Sequence, residues 1–269
     1  MQVLEAAVAA NPWPLRRERA AELAERYPHA AEMLRLYQAL TVVQEAAYRL
    51  PSPENIAIAA AEYVLPGVID VTVEAGPRAL RDGVIALFAS EDMGGLIQRW
   101  MEQKSLNPFE TYLARASASP LLEAMTTSTS SISPLPLGGE GQGGGMSQHC
   151  PNCGGLPQLS YFAVSGEALV SGPRYLVCSR CANNWIFSRM MCAGCGESNG
   201  TKLPIYQEQE QVPHARVDGC QSCRKYLLTF DLRRETRAVP VVDEIAALPL
   251  DLYARDQGLT KITPNLMGN

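Results

Sequence analysis

All eight cysteines of the 269-residue chain lie between Cys150 and Cys223, as four C-x-x-C pairs: Cys150/Cys153, Cys178/Cys181, Cys192/Cys195 and Cys220/Cys223. Two thiolates three residues apart on a tight turn can be aimed at one ion. A second such turn completes a tetrahedron of sulfur around zinc, or around iron of the rubredoxin type. The pairs recur in one frame: Cys150 to Cys178 and Cys192 to Cys220 each span 28 residues, and the second set follows the first by 42. Two copies of one unit therefore stand in tandem. Disulfides or buried free thiols are the alternative, disfavoured by zinc-site spacing in a chain without a secretory signal. Sequential sharing of each metal (first pair with second, third with fourth) makes each copy a complete unit, whereas cross-bracing would not.

Glycine follows the first knuckle of each copy, as Gly154 and Gly196, where positive φ lets the backbone curl toward the sulfurs. Ala182 and Arg224 hold that place after the second knuckles. Of the three histidines, His149 beside Cys150 reads as a linker residue. His29 and His214 read as surface residues.

The elements that must position the cysteines follow from pattern. Apolar residues at helical spacing run through Leu15–Tyr27, Ala30–Leu50 and Glu54–Tyr63, then from Pro77, from Ser90 as an N-cap, and from Asn107-Pro108 to Met125. Leu65 to Glu74 combines Pro66 and Gly67 with β-branched residues and reads as a loop. Trp100, Phe109 and Tyr112 read as core. Thr126 to Met146 is Ser, Thr, Pro and Gly without hydrophobic period, a flexible linker. Short strands are expected at Leu159–Val164, Arg174–Val177, Asn184–Phe187, Leu203–Gln207, Ala215–Val217 and Tyr226–Phe230, paired as small antiparallel sheets hung on the metals. A helix over Val241–Gln257, kinked at Pro249 and ended by Gly258, closes the chain. The fold class is α+β: a helical domain (1–125), a linker (126–149), two tandem rubredoxin-like or zinc-ribbon modules (150–190 and 191–235), and a C-terminal helix and tail (236–269).

Composition limits the function. The formal net charge of −5 argues against a general polyanion binder. Between Cys150 and Leu232 seven basic residues face six acidic ones, far from a nucleic-acid footprint. No run approaches eighteen unbroken apolar residues and Met1–Trp13 has no basic n-region, so neither membrane insertion nor a signal peptide is expected, and the compartment is the cytoplasm. The N-terminal 125 residues show no phosphate loop, catalytic carboxylate pair or nucleophile elbow, and no catalytic residue is assigned.

The runs C-P-N-C-G-G-L-P (Cys150–Pro157) and G-P-R-Y-L-V-C-S-R-C-A-N-N-W (Gly172–Trp185) resemble the formate dehydrogenase accessory protein family, FdhE. So do the second pair of knuckles with Tyr226-Leu227, the acidic helix from Asp243 and the tail with Pro264. The likeness covers the C-terminal 120 residues, and more loosely the N-terminal helices through L-R-R-E-R-A-A-E-L-A and N-P-F-E-T-Y-L-A-R. It implies a maturation factor or chaperone that binds the catalytic subunit of formate dehydrogenase without being a dehydrogenase. It also implies two four-cysteine metal centres, with iron favoured and zinc the alternative. The linker insertion, Arg224 in place of glycine and Thr263-Pro264-Asn265 depart from the family pattern. A rubredoxin-type electron carrier and a zinc-ribbon nucleic-acid module are the competing functions, and a homodimer is left open. Arg174 and Tyr175 are candidates for partner contact. The alternative is that Tyr175 packs under the ribbon and Arg174 is a solvated strand residue.

Overall fold

The computed structural model describes residues 11–89, 93, 95–129, 147–164, 172–208 and 210–268. The N-cap expected at Ser90 and most of the linker lie outside them. Six helices form the N-terminal part of the described chain: α1 Trp13–Arg26, α2 Ala31–Tyr48, α3 Ile56–Ala75, α4 Arg78–Ala89, α5 Leu96–Met101 and α6 Pro108–Thr129. Leu36, Leu40, Val64, Val68, Leu96, Leu113 and Leu121 share one core. The opening of α6 is a capping box: Asn107 Oδ1 accepts from Glu110 N (3.0 Å), and Glu110 Oε2 accepts from Asn107 N (2.8 Å).

Two helical boundaries differ from the sequence reading. Leu65 to Glu74 is not a loop but the second half of α3, joined to the first through a π-type turn at Ala60–Val64. Pro66 stands in the first turn after that irregularity, where its missing N–H costs little. Burial of Val68 and Thr72 then outweighs β-branched propensity, and Thr72 Oγ1 lies 2.6 Å from both Val68 O and Tyr112 OH. By length and hydropathy α3 could cross a membrane, and here a third of that span is buried. Residues 126–129, assigned to the linker, continue α6. Pro120 lies inside α6 and leaves the carbonyl of Ala116 without its helical donor. Gln44 Nε2 donates to that oxygen instead (2.9 Å, buried).

The strands are β1 Pro157–Phe162, β2 Arg174–Cys178, β3 Asn184–Phe187, β4 Ile205–Tyr206, β5 Ala215–Gly219, β6 Lys225–Asp231 and β7 Thr260–Lys261. They do not form two separate sheets. One sheet runs β3-β2-β1-β6-β5-β4, with β7 beside β6, and the two modules join through the parallel pair β1–β6. Ser160 and Thr229 face each other at that seam, both buried, with their hydroxyls 2.6 Å apart. A buried hydroxyl needs a partner, so this pair ties the register of the two modules together.

The expected C-terminal helix is two helices, α7 Pro240–Ala246 and α8 Leu248–Asp256, with Pro249 in the first turn of α8. Helix α7 lays Val242, Ile245 and Ala246 against Leu23, Leu34 and Tyr37 of α1 and α2. Leu250 and Ala254 of α8 cover Leu159, Leu228 and Phe230 of the sheet. Asp243 fastens the same junction: it accepts from Arg19 Nε (3.0 Å) and Nη2 (2.6 Å), from Val239 N (2.8 Å), and pairs with His214 Nε2 at 2.9 Å. His214 is thus buried inside the molecule and not a surface residue.

Burial alone would raise the Asp243 pKa, but the His214, Arg19 and Val239 bonds outweigh it and hold it below its usual 3.8. A carboxyl lowered on folding stabilises the fold above its unfolded pKa, and that contribution is lost as pH falls through the folded value. Asp243→Asn is therefore expected to flatten the acid limb of stability below about pH 4. Urea midpoints of both proteins across pH 3 to 7 check this, and parallel curves would refute it.

Candidate metal centres

Each C-x-x-C pair sits on the same turn. The first cysteine's N–H donates to the carbonyl five residues on: Cys150 to Gly155 (2.8 Å), Cys178 to Asn183 (2.9 Å), Cys192 to Glu197 (2.8 Å) and Cys220 to Lys225 (2.9 Å). The residue after the second cysteine is left-handed in all four, with φ of 70° at Gly154, 53° at Ala182, 78° at Gly196 and 57° at Arg224. Ala182 and Arg224 therefore accept the conformation that the sequence assigns to glycine alone. Such backbone costs about 1–3 kcal/mol and persists where the surroundings over-determine it. At Arg224 the side chain takes part, donating from Nη2 to Gln257 O (2.8 Å) and Gly258 O (3.1 Å) at the end of α8.

The turns bring the eight sulfurs into two groups, Cys150/Cys153/Cys178/Cys181 and Cys192/Cys195/Cys220/Cys223, each with all four Sγ atoms within 4.8 Å of one another. The grouping is sequential. Across the first group the Cys150–Cys181 and Cys153–Cys178 separations are 3.7 and 3.4 Å; across the second, Cys192–Cys223 and Cys195–Cys220 are both 3.7 Å. All eight cysteines are free. A tetrahedron of thiolates about 2.3 Å from zinc has sulfurs roughly 3.8 Å apart. The donor set and its spacing therefore suit a four-coordinate thiophilic ion in each group, with no coordination position left for a substrate.

Polar hydrogens support the sulfurs. Arg180 N approaches Cys178 Sγ (3.4 Å) and Gly194 N approaches Cys192 Sγ (3.3 Å). The Asn183 and Asn152 amides approach Cys150 Sγ (3.6 Å) and Cys181 Sγ (3.7 Å). Such donors stabilise thiolate charge. Within the first group, hydrogen bonds among the four thiols push Cys150 and Cys181 down and push Cys153 and Cys178 up. The crowd favours two thiolates and resists the other two, a conflict that a divalent ion removes.

The two centres differ in access. In the first, Cys150, Cys178 and Cys181 are buried and only Cys153 is half-exposed; in the second, Cys195 is exposed and Cys223 half-exposed. The first also belongs to a core with Leu176, Trp185, Phe187 and Leu227. Once loaded, the chain is expected to release metal to a chelator in two phases, the fast one from the second centre. Stopped-flow with a colorimetric chelator would show it, and Cys195→Ser should remove the fast phase. A single phase of two equivalents would contradict this.

The remaining sequence candidates are placed differently. His149 is exposed and outside the sulfur group. His29 is exposed on its 3-10 turn, with Nε2 2.9 Å from Ala246 O. Arg174 is buried, neither solvated nor open to a partner. It donates to Ser160 Oγ (3.0 Å) and to Ser188 O and Met191 O (both 3.2 Å), and pairs with Asp218 at 3.2 Å. It ties β1, the inter-module linker and β5 together. Tyr175 is half-buried and stacked on Tyr161, with ring centroids 5.3 Å apart.

Sequence reasoning missed a buried chain of charges beside the first centre. Lys261 Nζ lies 2.8 Å from Glu244 Oε1 and 2.9 Å from Asp251 Oδ1, and Tyr226 OH donates to Asp251 at 2.7 Å. Gln158 links Glu244 to Arg115 of α6, which also donates to Pro264 O at 2.7 Å. Its members are scattered from 115 to 264, so no spacing announces it.

Residues 149–189 match the family model "FdhE, central domain" and residues 190–267 match "FdhE, C-terminal domain". The Protein FdhE homolog of Aquifex aeolicus is 33% identical over 120 residues, 45% of this chain and 41% of that protein. The Protein FdhE homolog of Pseudomonas aeruginosa is 33% identical over 121 residues, 44% of this chain and 38% of that protein. The match spans less than half the length of either relative. The crystal structure of the FdhE protein from Pseudomonas aeruginosa shares the fold, with a TM-score of 0.68 and 23% identity over 96% of this chain and 95% of that one. Residues 149–267, which carry both cysteine centres, are thus similar to the central and C-terminal domains of the FdhE family.

Proposed function

We propose that the chain is a cytoplasmic accessory protein that binds the catalytic subunit of formate dehydrogenase during maturation and holds two tetrahedral metal ions without being a dehydrogenase itself. The observation that carries the reading is the pair of four-sulfur centres built into one sheet, each filled by protein ligands. Cys150, Cys153, Cys178 and Cys181 would hold one ion, and Cys192, Cys195, Cys220 and Cys223 the other. A bound ion supplies cross-linking of the knuckles and, if iron, one-electron chemistry. The resemblance to the FdhE family supports iron over zinc and the choice of client. The chain's own residues fix the sheet, lock the modules through Arg174 and seat the helical part on α7. The test is purification of the full chain without oxygen, followed by metal analysis, a visible spectrum and co-purification with the dehydrogenase catalytic subunit. Two metals per chain and a stable complex are expected. Chain without stoichiometric metal, or without affinity for the subunit, would overturn the reading.

Exposure of Cys195 favours a second reading, electron transfer through the second centre. Thiolate-to-iron charge-transfer bands that bleach reversibly on reduction would support it, and two zinc ions would discard it.

A further inference from the structure

A groove of about 680 Å³ opens between the helical part, the first metal module and the C-terminal tail. Its walls are apolar and aromatic, with Trp100, Leu106 and Phe109 on the helical side facing Leu156 and Leu266. Trp100 and Phe109, read from the sequence as core, are half-buried, and of the three aromatics only Tyr112 is fully interior. Among the described residues three cations line the groove (Lys104, Arg115 and Arg180) and no Asp or Glu does. Lys104 is paired with Glu102 at 2.7 Å. The two arginines are not so neutralised. Glu244 reaches Arg115 only through Gln158. Arg180 stands 4.6 Å over the Trp100 ring and donates to Met101 O at 3.0 Å, and its buried Nε has no hydrogen-bond partner among the described residues.

Arg180 is fixed by the first metal knuckle. It lies between Cys178 and Cys181, and a Cβ added at Gly155 would come within 3.0 Å of its Cδ and of Cys178 Sγ. Glycine at 155 thus keeps the arginine stem flat on the knuckle and its head toward the groove. A preorganised guanidinium with no carboxylate partner among the described residues, set among tryptophan, phenylalanine and leucine, is built for an apolar ligand that brings its own carboxylate. A cavity of this size falls in the range of dedicated ligand sites. Resting on the accessory role above, we propose that this groove docks an apolar segment of the client protein whose Asp, Glu or terminal carboxylate pairs with Arg180.

The test uses the full metal-loaded chain and the dehydrogenase catalytic subunit, both whole and as tiled 15-residue biotinylated peptides. At least one apolar peptide bearing a carboxylate is expected to bind and to change Trp100 fluorescence. Exchanging that carboxylate for its amide should weaken binding about tenfold or more, since a charge-assisted pair is lost. Arg180→Glu should abolish binding, Arg180→Lys should weaken it, and Arg78→Glu on the exposed face of α4 should leave it unchanged. Because the amide exchange is made in the peptide, the proposal stays falsifiable even if the Arg180 variants lose metal. Whole subunit that binds wild type and Arg180→Glu equally, or bound peptides indifferent to the amide exchange, would overturn the groove while leaving the accessory role standing. Whole subunit that does not bind wild type at all would overturn the accessory role, and the groove with it.

Discussion

Cys178→Ser is expected to lose one metal per chain and most of the folded population. Cys178 ends β2, pairs across the sheet with Pro157, and is buried among Leu176, Trp185 and Phe187. Its sulfur is a corner of the first tetrahedron, 3.4 Å from Cys153 Sγ. A structural thiolate site supplies roughly 10–16 kcal/mol of apparent folding energy, whereas a whole domain is stable by only about 5–15 kcal/mol. Serine would leave a buried hydroxyl beside three sulfurs that resist joint ionisation. Cys195→Ser is the matched comparison: its position is exposed, so it should empty the second centre, lower the melting temperature and leave the first centre loaded. Metal content by mass spectrometry and thermal unfolding by circular dichroism read both. Cys178→Ser with two metals and an unchanged melting temperature would show that the first group is not a metal site.

Lys261→Met is expected to destabilise the fold by about 3–5 kcal/mol, the usual result of orphaning a buried charge. The side chains of Lys261, Glu244 and Asp251 are 3%, 0% and 0% exposed, and Lys261 sits between the two carboxylates. Without it they face each other with Gln158 and Tyr226 as their side-chain donors among the described residues. Burial, the largest influence, already raises the Glu244 pKa above its usual 4.5, with Lys261 opposing the rise. A carboxyl raised on folding favours the fold fully below its unfolded pKa, and that contribution disappears as pH rises through the folded value. Removing Lys261 raises the folded value further, so the variant's deficit should be larger at pH 7 than at pH 5. Adding Glu244→Gln should recover part of it. Urea denaturation at both pH values decides, and a deficit under 1 kcal/mol at pH 7 would exclude the triad as a structural lock.

The metal centres were the most legible part of this sequence because their information is local: a C-x-x-C pair defines its own turn, and the frame defines the grouping. Five of the six strands expected around them follow for the same reason, and the sixth shrinks to Ile205–Tyr206. What spacing cannot show is how two local units meet. The β1–β6 seam rests on Ser160 and Thr229, which read as ordinary polar strand residues until they are placed opposite each other. Arg174 and His214 looked like surface groups because their partners, Asp218 and Asp243, lie 44 and 29 residues away and become partners only in the folded chain. The second half of α3 was misread because Pro66 and Gly67 signal a break locally, while burial of Val68 and Thr72 against α6 decides the outcome.

The tandem frame has a consequence for assembly. Reading across the sheet, each module contributes its third, second and first strand in the same order, so the modules are related by translation and not by a two-fold axis. The free edges, β3 and β4, are therefore copies of the two edges that already meet at β1–β6. A second molecule could in principle repeat that contact, β4 of one against β3 of the next, and the operation would never close. The chain blunts the repeat at both edges: β3 has four residues where β6 has seven. Where β1 runs six residues, β4 has two, entered from Pro204, whose ring offers no N–H to an incoming strand. Edge strands this short offer an incoming copy few main-chain groups to pair with, so the translational repeat is geometrically open and energetically weak.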